Sequence, residues 1–545
     1  MTSGYQYEPL PNDGIRLLQL SPGPPGSPLY CHLRLTSLKA SRRKFDAISY
    51  TWGDLTSRNT ILCGERHDEL KVTDHCHNAL LHLRHADTPQ TIWIDAICIN
   101  QANTTEKTSQ VKIMGKIYAA ARRTVIFLGN ESEDSKTVCQ DKSDPSKRLP
   151  STNIAHATER LFERPWFTRI WGVQEFGRGN DPVFMCGNSE IPYDALSLAR
   201  PFVKNFPTAL EIKHGLFRSS FENYCTTGAQ KLFLLVAETG LRQSTEPLDR
   251  ILALIPLVEI RRTPLEGLIN YSQTLRELFY RFTIALINGK CALVFLNLIR
   301  RPHHIDGLPS WVPNWTEPRD NSGVINKLFR FFRDQYEAYK VQEDIRVIET
   351  NADFALHRLM SKGHPYGIID EQGPSIRMRM ENANDRKEDV LTLVNLIKSI
   401  SSGTDVDASD WPASVKDAIR GISSADICDL LRSHLLEREL SNETVDGPAS
   451  YEVAIGCDGT KFFVTSEGKL GVCPEAAQKG DLVCILRGTL EPCILRGTRS
   501  DWLFVSGQCV LLEFERAVPG FDGIWEYMEV EQLGGNNAIK DYIIC

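Results

Sequence analysis

No stretch of this sequence reaches the roughly 18 uninterrupted apolar residues that a membrane-spanning helix needs; the apolar segment 248–260 is too short and is broken by charges. The first residues, MTSGYQYEPLPNDG, lack the basic start and apolar stretch of a signal peptide. Fifteen cysteines are present, an odd number, dispersed and with no C-x-x-C pair. Without a secretion signal, that pattern reads as reduced thiols in a cytoplasmic protein, not as a disulfide framework. Cys545 is the last residue, whereas a prenylation box needs its cysteine fourth from the end. No Lys/Arg run is long enough to suggest a patch and the net charge is -7, so nucleic acid is not an expected partner. There is no G-x-x-x-x-G-K-[ST], no G-x-G-x-x-G and no G-x-S-x-G, which removes the usual signs of a Walker nucleotide site, a dinucleotide redox site and a hydrolase elbow. His67, His75, His77, His82 and His85 fall in one region. No His-x-x-x-His pair occurs among them, and no metal is expected.

A chain of 545 residues exceeds one hydrophobic core, so several domains are expected. After an N-terminal extension (1–40), residues 41–195 alternate strands and helices. Phe45–Tyr50 is a short apolar run, 73–83 has helical spacing, and 91–99 (TIWIDAICI) reads as a buried strand. Asn103, with Glu106 three residues later, opens the clearest helix, whose Val111, Met114, Tyr118 and Ala121 share a face. Thr124–Leu128 is a further buried strand, and this order predicts an α/β domain with a parallel sheet. Residues 130–153 are polar and read as a mobile insertion. A mostly helical region follows over 196–445, then a small antiparallel β domain over 446–545. In that last part CILRGT occurs at 484–489 and again at 493–498, a spacing that suggests two adjacent strands.

Three blocks stand out in the first domain: FDAISYTWGD at 45–54, WIDAICINQANTTEKTSQVKIMGKIYAAA at 93–121 and RPWFTRIWGVQEF at 164–176. Together and in this order they closely resemble the fungal heterokaryon-incompatibility (HET) domain. IRLLQL at 15–20, EPLDRILAL at 246–254, LPSWVPNW at 308–315 and the tail segments KFFVTSEGKLG and GDLV look like companion segments of the same family. After WLFVSGQCV the tail reads LLEFERAVPG, a departure from the family's usual Tyr-Val-His-Gly stretch and Gly-Glu pair.

The resemblance implies a protein of fungal non-self recognition whose HET domain promotes programmed cell death, with protein partners and a homo-oligomer on activation. HET domains are in turn similar in pattern to TIR domains, which implies a TIR-like (flavodoxin-like) fold. It also implies Glu175, of the Trp171-x-x-x-Glu175 pair, as a catalytic carboxylate cleaving NAD. On that reading NAD is substrate and no cofactor is needed. One carboxylate suffices for this chemistry, because it can steady the oxocarbenium-like charge as a cationic leaving group departs.

Asp95 ends a buried strand at the sheet edge where open α/β folds bind ligands, and Trp52, Asn100 and Trp171 are placed with it as substrate-binding residues. Each has a plainer use. Glu175 is also a helix-surface carboxylate packed beside an aromatic, Asp95 a loop cap, Trp52 a core anchor, and Glu106 and Gln110 a hydrogen-bonded pair holding the helix start. Arg169 fits either a phosphate contact or a salt bridge to Glu175. A non-enzymatic recruitment scaffold and an accessory protein of a biosynthetic gene cluster are the remaining alternatives.

Overall fold

The computed structural model describes residues 4–11, 13–140, 152–198, 225, 227–258, 264–299, 305–316, 345–348, 357–377, 383–404, 409–421, 459–489, 491–507, 509–511 and 540–545. Two units are formed, the first from residues 1–223 with 239–275, the second from 224–238 with 276–545.

The first unit is built on a nine-stranded sheet ordered β5-β4-β2-β1-β6-β3-β7-β8-β9. Its strands are β1 (Gly14–Leu20), β2 (Tyr30–Ser37), β3 (Asp46–Tyr50), β4 (Arg58–Cys63), β5 (Asp68–Thr73), β6 (Gln90–Ile94), β7 (Thr124–Phe127), β8 (Pro182–Cys186) and β9 (Ser189–Pro192). At the centre β6, β3, β7 and β8 run parallel. All five residues of β3 are buried, as expected of a strand covered on both faces. The wholly parallel sheet expected from the sequence is corrected to a mixed one, because β1 pairs antiparallel with both β2 and β6. Strands β1 and β2, drawn from the segment read as an N-terminal extension, are therefore part of this sheet.

Arg16, in the middle of buried β1, is compatible with that position because its guanidinium grips Glu106 at 2.5 Å and the Cys98 carbonyl at 3.2 Å. Helix α1 (Asp74–Leu83) is capped by Thr73, whose hydroxyl accepts from Cys76 N. The apolar run 91–99 splits into β6 and a short helix α2 (Asp95–Cys98), a distinction that hydrophobicity alone cannot make. Helix α3 (Thr104–Ala120) starts at Asn103, whose side chain accepts from Glu106 N at 3.1 Å. In the segment read as a mobile insertion, Glu133–Gln140 forms helix α4; residues 141–151 lie outside the described residues. Helix α5 (Thr152–Phe162) and a 3-10 turn at Pro165–Thr168 lead into α6 (Ile170–Arg178).

In the second unit, helices Gly228–Glu238 and Leu275–Asn288 match the helical expectation for this region. The same region also supplies β10 (Arg346–Ile348) and the fifteen-residue strand β11 (Arg358–Gln372), so the second sheet begins well before the tail. The tail adds β12 (Thr460–Thr465), β13 (Leu470–Pro474), β14 (Leu482–Leu486), β15 (Cys493–Gly497), β16 (Trp502–Ser506), β17 (Val510–Leu511) and β18 (Lys540–Ile544). The two CILRGT copies lie on β14 and β15, which pair antiparallel through Cys484 and Cys493. Because β11 pairs with both β14 and β18, the path β14-β15-β16-β18-β11 closes on itself. No described helix is long and apolar enough to cross a membrane.

Candidate functional site

Trp52 and Asp95 leave the C-terminal ends of the adjacent parallel strands β3 and β6, the edge where open α/β sheets hold ligands. There they meet: the Trp52 indole N–H donates to Asp95 Oδ2 at 3.0 Å, and Asp95 Oδ1 accepts from Ala96 N at 2.8 Å. Both face a cavity of about 360 Å³. Lys107, Val111 and Met114, at i, i+4 and i+7 along α3, form one wall. Arg169 and Trp171 add a second wall, and the third comes from residues 243–246, Asp249 and Tyr271.

That third wall is fastened to the domain by main-chain bonds. Gln243 N donates to Thr168 O at 2.7 Å and Ile170 N donates to Gln243 O at 2.9 Å. Two arginines reinforce the splice. Arg242, buried and with its pKa pulled down to about 10 by burial, donates to Phe167 O at 2.6 Å. Arg250 donates to Arg242 O at 2.6 Å. Each guanidinium thus donates to main-chain carbonyls at the splice.

Asp249 is the residue that sequence reasoning missed. It lies inside EPLDRILAL, a segment noted for family likeness but given no role. Its carboxylate accepts from the Trp171 indole at 2.7 Å and from the Tyr271 hydroxyl at 2.5 Å. Asp95 and Asp249 therefore form two carboxylate–indole pairs on one cavity. Burial raises the pKa of both; Arg169 and the Trp52 bond oppose the shift at Asp95, and the Tyr271 and Trp171 bonds oppose it at Asp249. The Lys107 ammonium sits 4.5 Å from the centre of the Tyr271 ring.

Glu175 is placed differently from either sequence expectation. It is no surface carboxylate, being 2% exposed, and it does not line the cavity. The Ser49 hydroxyl donates to its Oε2, and Ser49 accepts in turn from the Trp166 indole at 2.6 Å. Arg169, which does reach the cavity, pairs with Glu175 at 3.5 Å and also donates to Tyr50 O. Burial raises the Glu175 pKa against the pull of Arg169. The salt-bridge use of Arg169 is thus the one observed.

Asn100 is not among the cavity residues. Its side chain accepts from Ala102 N at 3.2 Å, and its own N–H is held by Glu106 at 2.7 Å. The Glu106–Gln110 pairing is also corrected: Glu106 is taken by Arg16, and Gln110 donates to Gly14 O at 3.0 Å. Among the described residues no three His, Cys, Asp or Glu side chains gather as a metal site.

Fold and site define an α/β domain whose sheet edge opens into a cavity lined by carboxylates and indoles and completed by a later stretch of chain. Residues 45–175 match the family model described as Heterokaryon incompatibility protein (HET), and the chain therefore carries a HET domain. It is 27% identical over 395 residues to "Heterokaryon incompatibility protein 6, OR allele" of Neurospora crassa, with 56% of this chain and 58% of that relative covered. The chain thus spans under two thirds of the relative's length. No solved structure matches it.

Proposed function

We propose that this protein acts in fungal heterokaryon incompatibility, its HET domain promoting cell death once partner proteins bring copies together. The observation that carries this reading is the HET match over residues 45–175, supported by the relative named for heterokaryon incompatibility. The matched residues build the parallel core strands β6, β3 and β7 and two walls of the cavity, so the domain has both a scaffold and a place for control. We take that core as the part comparable to a TIR sheet. The test is induced clustering of the full chain in a filamentous fungus, scored by vital staining. Compartment death on clustering supports the reading, and full viability at equal protein level contradicts it.

A second reading, NAD cleavage, is favoured by the cavity at the sheet edge. In the arrangement described, Glu175 is enclosed by Ser49 and Arg169, so its use requires Arg169 to move away. Without that movement the available carboxylates are Asp95, Glu246 and Asp249. Nicotinamide release by the clustered chain, compared with Glu175→Ala and Asp95→Ala, decides among these. Loss only in Glu175→Ala assigns the chemistry to Glu175, and no release from folded, clustered protein leaves a recruitment scaffold.

A further inference from the structure

We propose that the cavity binds a compact organic cation with a flat face, held by the Asp95 and Asp249 carboxylates among the surrounding aromatic side chains. Charge is the first argument. Three carboxylates line the space, Asp95, Glu246 and Asp249, against two cations, Arg169 and Lys107. Both cations are already engaged: Arg169 with Glu175 and the Tyr50 carbonyl, Lys107 with the Tyr271 ring. An anionic ligand would meet more repulsion than attraction, whereas a cation meets an excess of negative charge.

Hydrogen-bonding capacity is the second argument. The donors from Trp52, Ala96, Trp171 and Tyr271 fix the direction of both carboxylates and use one site on each oxygen. A carboxylate oxygen accepts about two bonds, so each retains acceptor capacity for a ligand N–H. Fixed carboxylates of this kind need no reorganisation to receive an amidinium or ammonium group.

Shape and surface are the third. Trp52, Trp171 and Tyr271 line the space with Ile99, Val111 and Met114, and about 360 Å³ suits a molecule of one substituted ring. That wall already accommodates a cation on an aromatic face, since the Lys107 ammonium rests on Tyr271. A ligand cation would repeat the same contact against the tryptophans. This inference concerns binding and stands independently of the cell-death reading.

Benzamidine, benzamide and benzoate have nearly the same shape and differ in charge, so they separate charge from shape. Their binding to the full chain is to be measured by calorimetry at neutral pH. The expected result is saturable benzamidine binding, at least about tenfold tighter than benzamide or benzoate, and weakened about tenfold or more by Asp249→Asn. If Asp249→Asn does not fold, Asp95→Asn takes its place, and the wild-type charge series is decisive by itself. The proposal is overturned if folded wild type shows no saturable benzamidine binding, if benzoate or benzamide binds as tightly, or if folded Asp249→Asn binds benzamidine undiminished.

Discussion

Single side chains in this site are tied together by a few buried donors, and each donor makes a measurable prediction. Trp171→Phe keeps most of the ring but removes the indole N–H from Asp249, leaving a buried carboxylate oxygen short of one partner. The expected cost is about 1–3 kcal/mol, read as a lower denaturant midpoint at unchanged slope. An unchanged midpoint would show that Asp249 does not depend on that bond. Glu175 allows a pH test. Its folded-state pKa is raised, chiefly by burial, so between the ordinary carboxylate range near about 4 and that raised value the folded state holds more protons than the unfolded one. Stability contributed by this group is therefore present at acid pH and is lost as pH rises through the window. Glu175→Gln should flatten that part of the stability–pH curve, and a variant curve parallel to wild type would contradict the assignment.

Local elements explain what the sequence revealed and what it hid. Asn103 announced its helix because a capping side chain sits next to the helix it starts. Strands β3, β6 and β7 were visible as short apolar runs, and the edge positions of Trp52 and Asp95 followed from β3 and β6. The antiparallel place of β1 beside β6 was not legible, because pairing between distant segments leaves no local mark. Nor was Asp249: its partners Trp171 and Tyr271 lie 78 and 22 residues away. The burial of Glu175 was not legible, because an i, i+4 relation to Trp171 places two residues on one helix face without saying what covers it.

The turn after β3 gives an element-scale prediction. Gly53 has φ +70°, and a Cβ there would come within 2.7 Å of the His75 ring. His75 is exposed and held only by its ring Nδ1 near Thr51 O at 3.1 Å, so Gly53→Ala should cost about 1–2 kcal/mol, mainly from the left-handed backbone. Adding His75→Ala should restore little. Full recovery in thermal unfolding of the double variant would make the contact, not the backbone, the cause.

At the scale of the whole molecule, the first unit does not end where the family match ends. Residues 239–275 return to it through Arg242, Gln243, Asp249 and Tyr271. A fragment of residues 1–195 loses that wall and exposes the apolar residues beneath it, so it should bind a hydrophobic dye and unfold at lower temperature than residues 1–275. Equal behaviour of the two fragments would mean that the added stretch is dispensable to the unit.

The proposal that clustering of this HET-domain protein promotes death can be tested in living cells. The most direct measurement is survival of fungal compartments expressing the full chain fused to a drug-inducible dimerising tag, with and without the drug, beside an equally abundant, folded Arg169→Ala variant. Death is expected only with the drug, and to a reduced degree in the variant, whose Glu175 and cavity edge have lost their shared partner. Survival of wild-type compartments after verified clustering would contradict it.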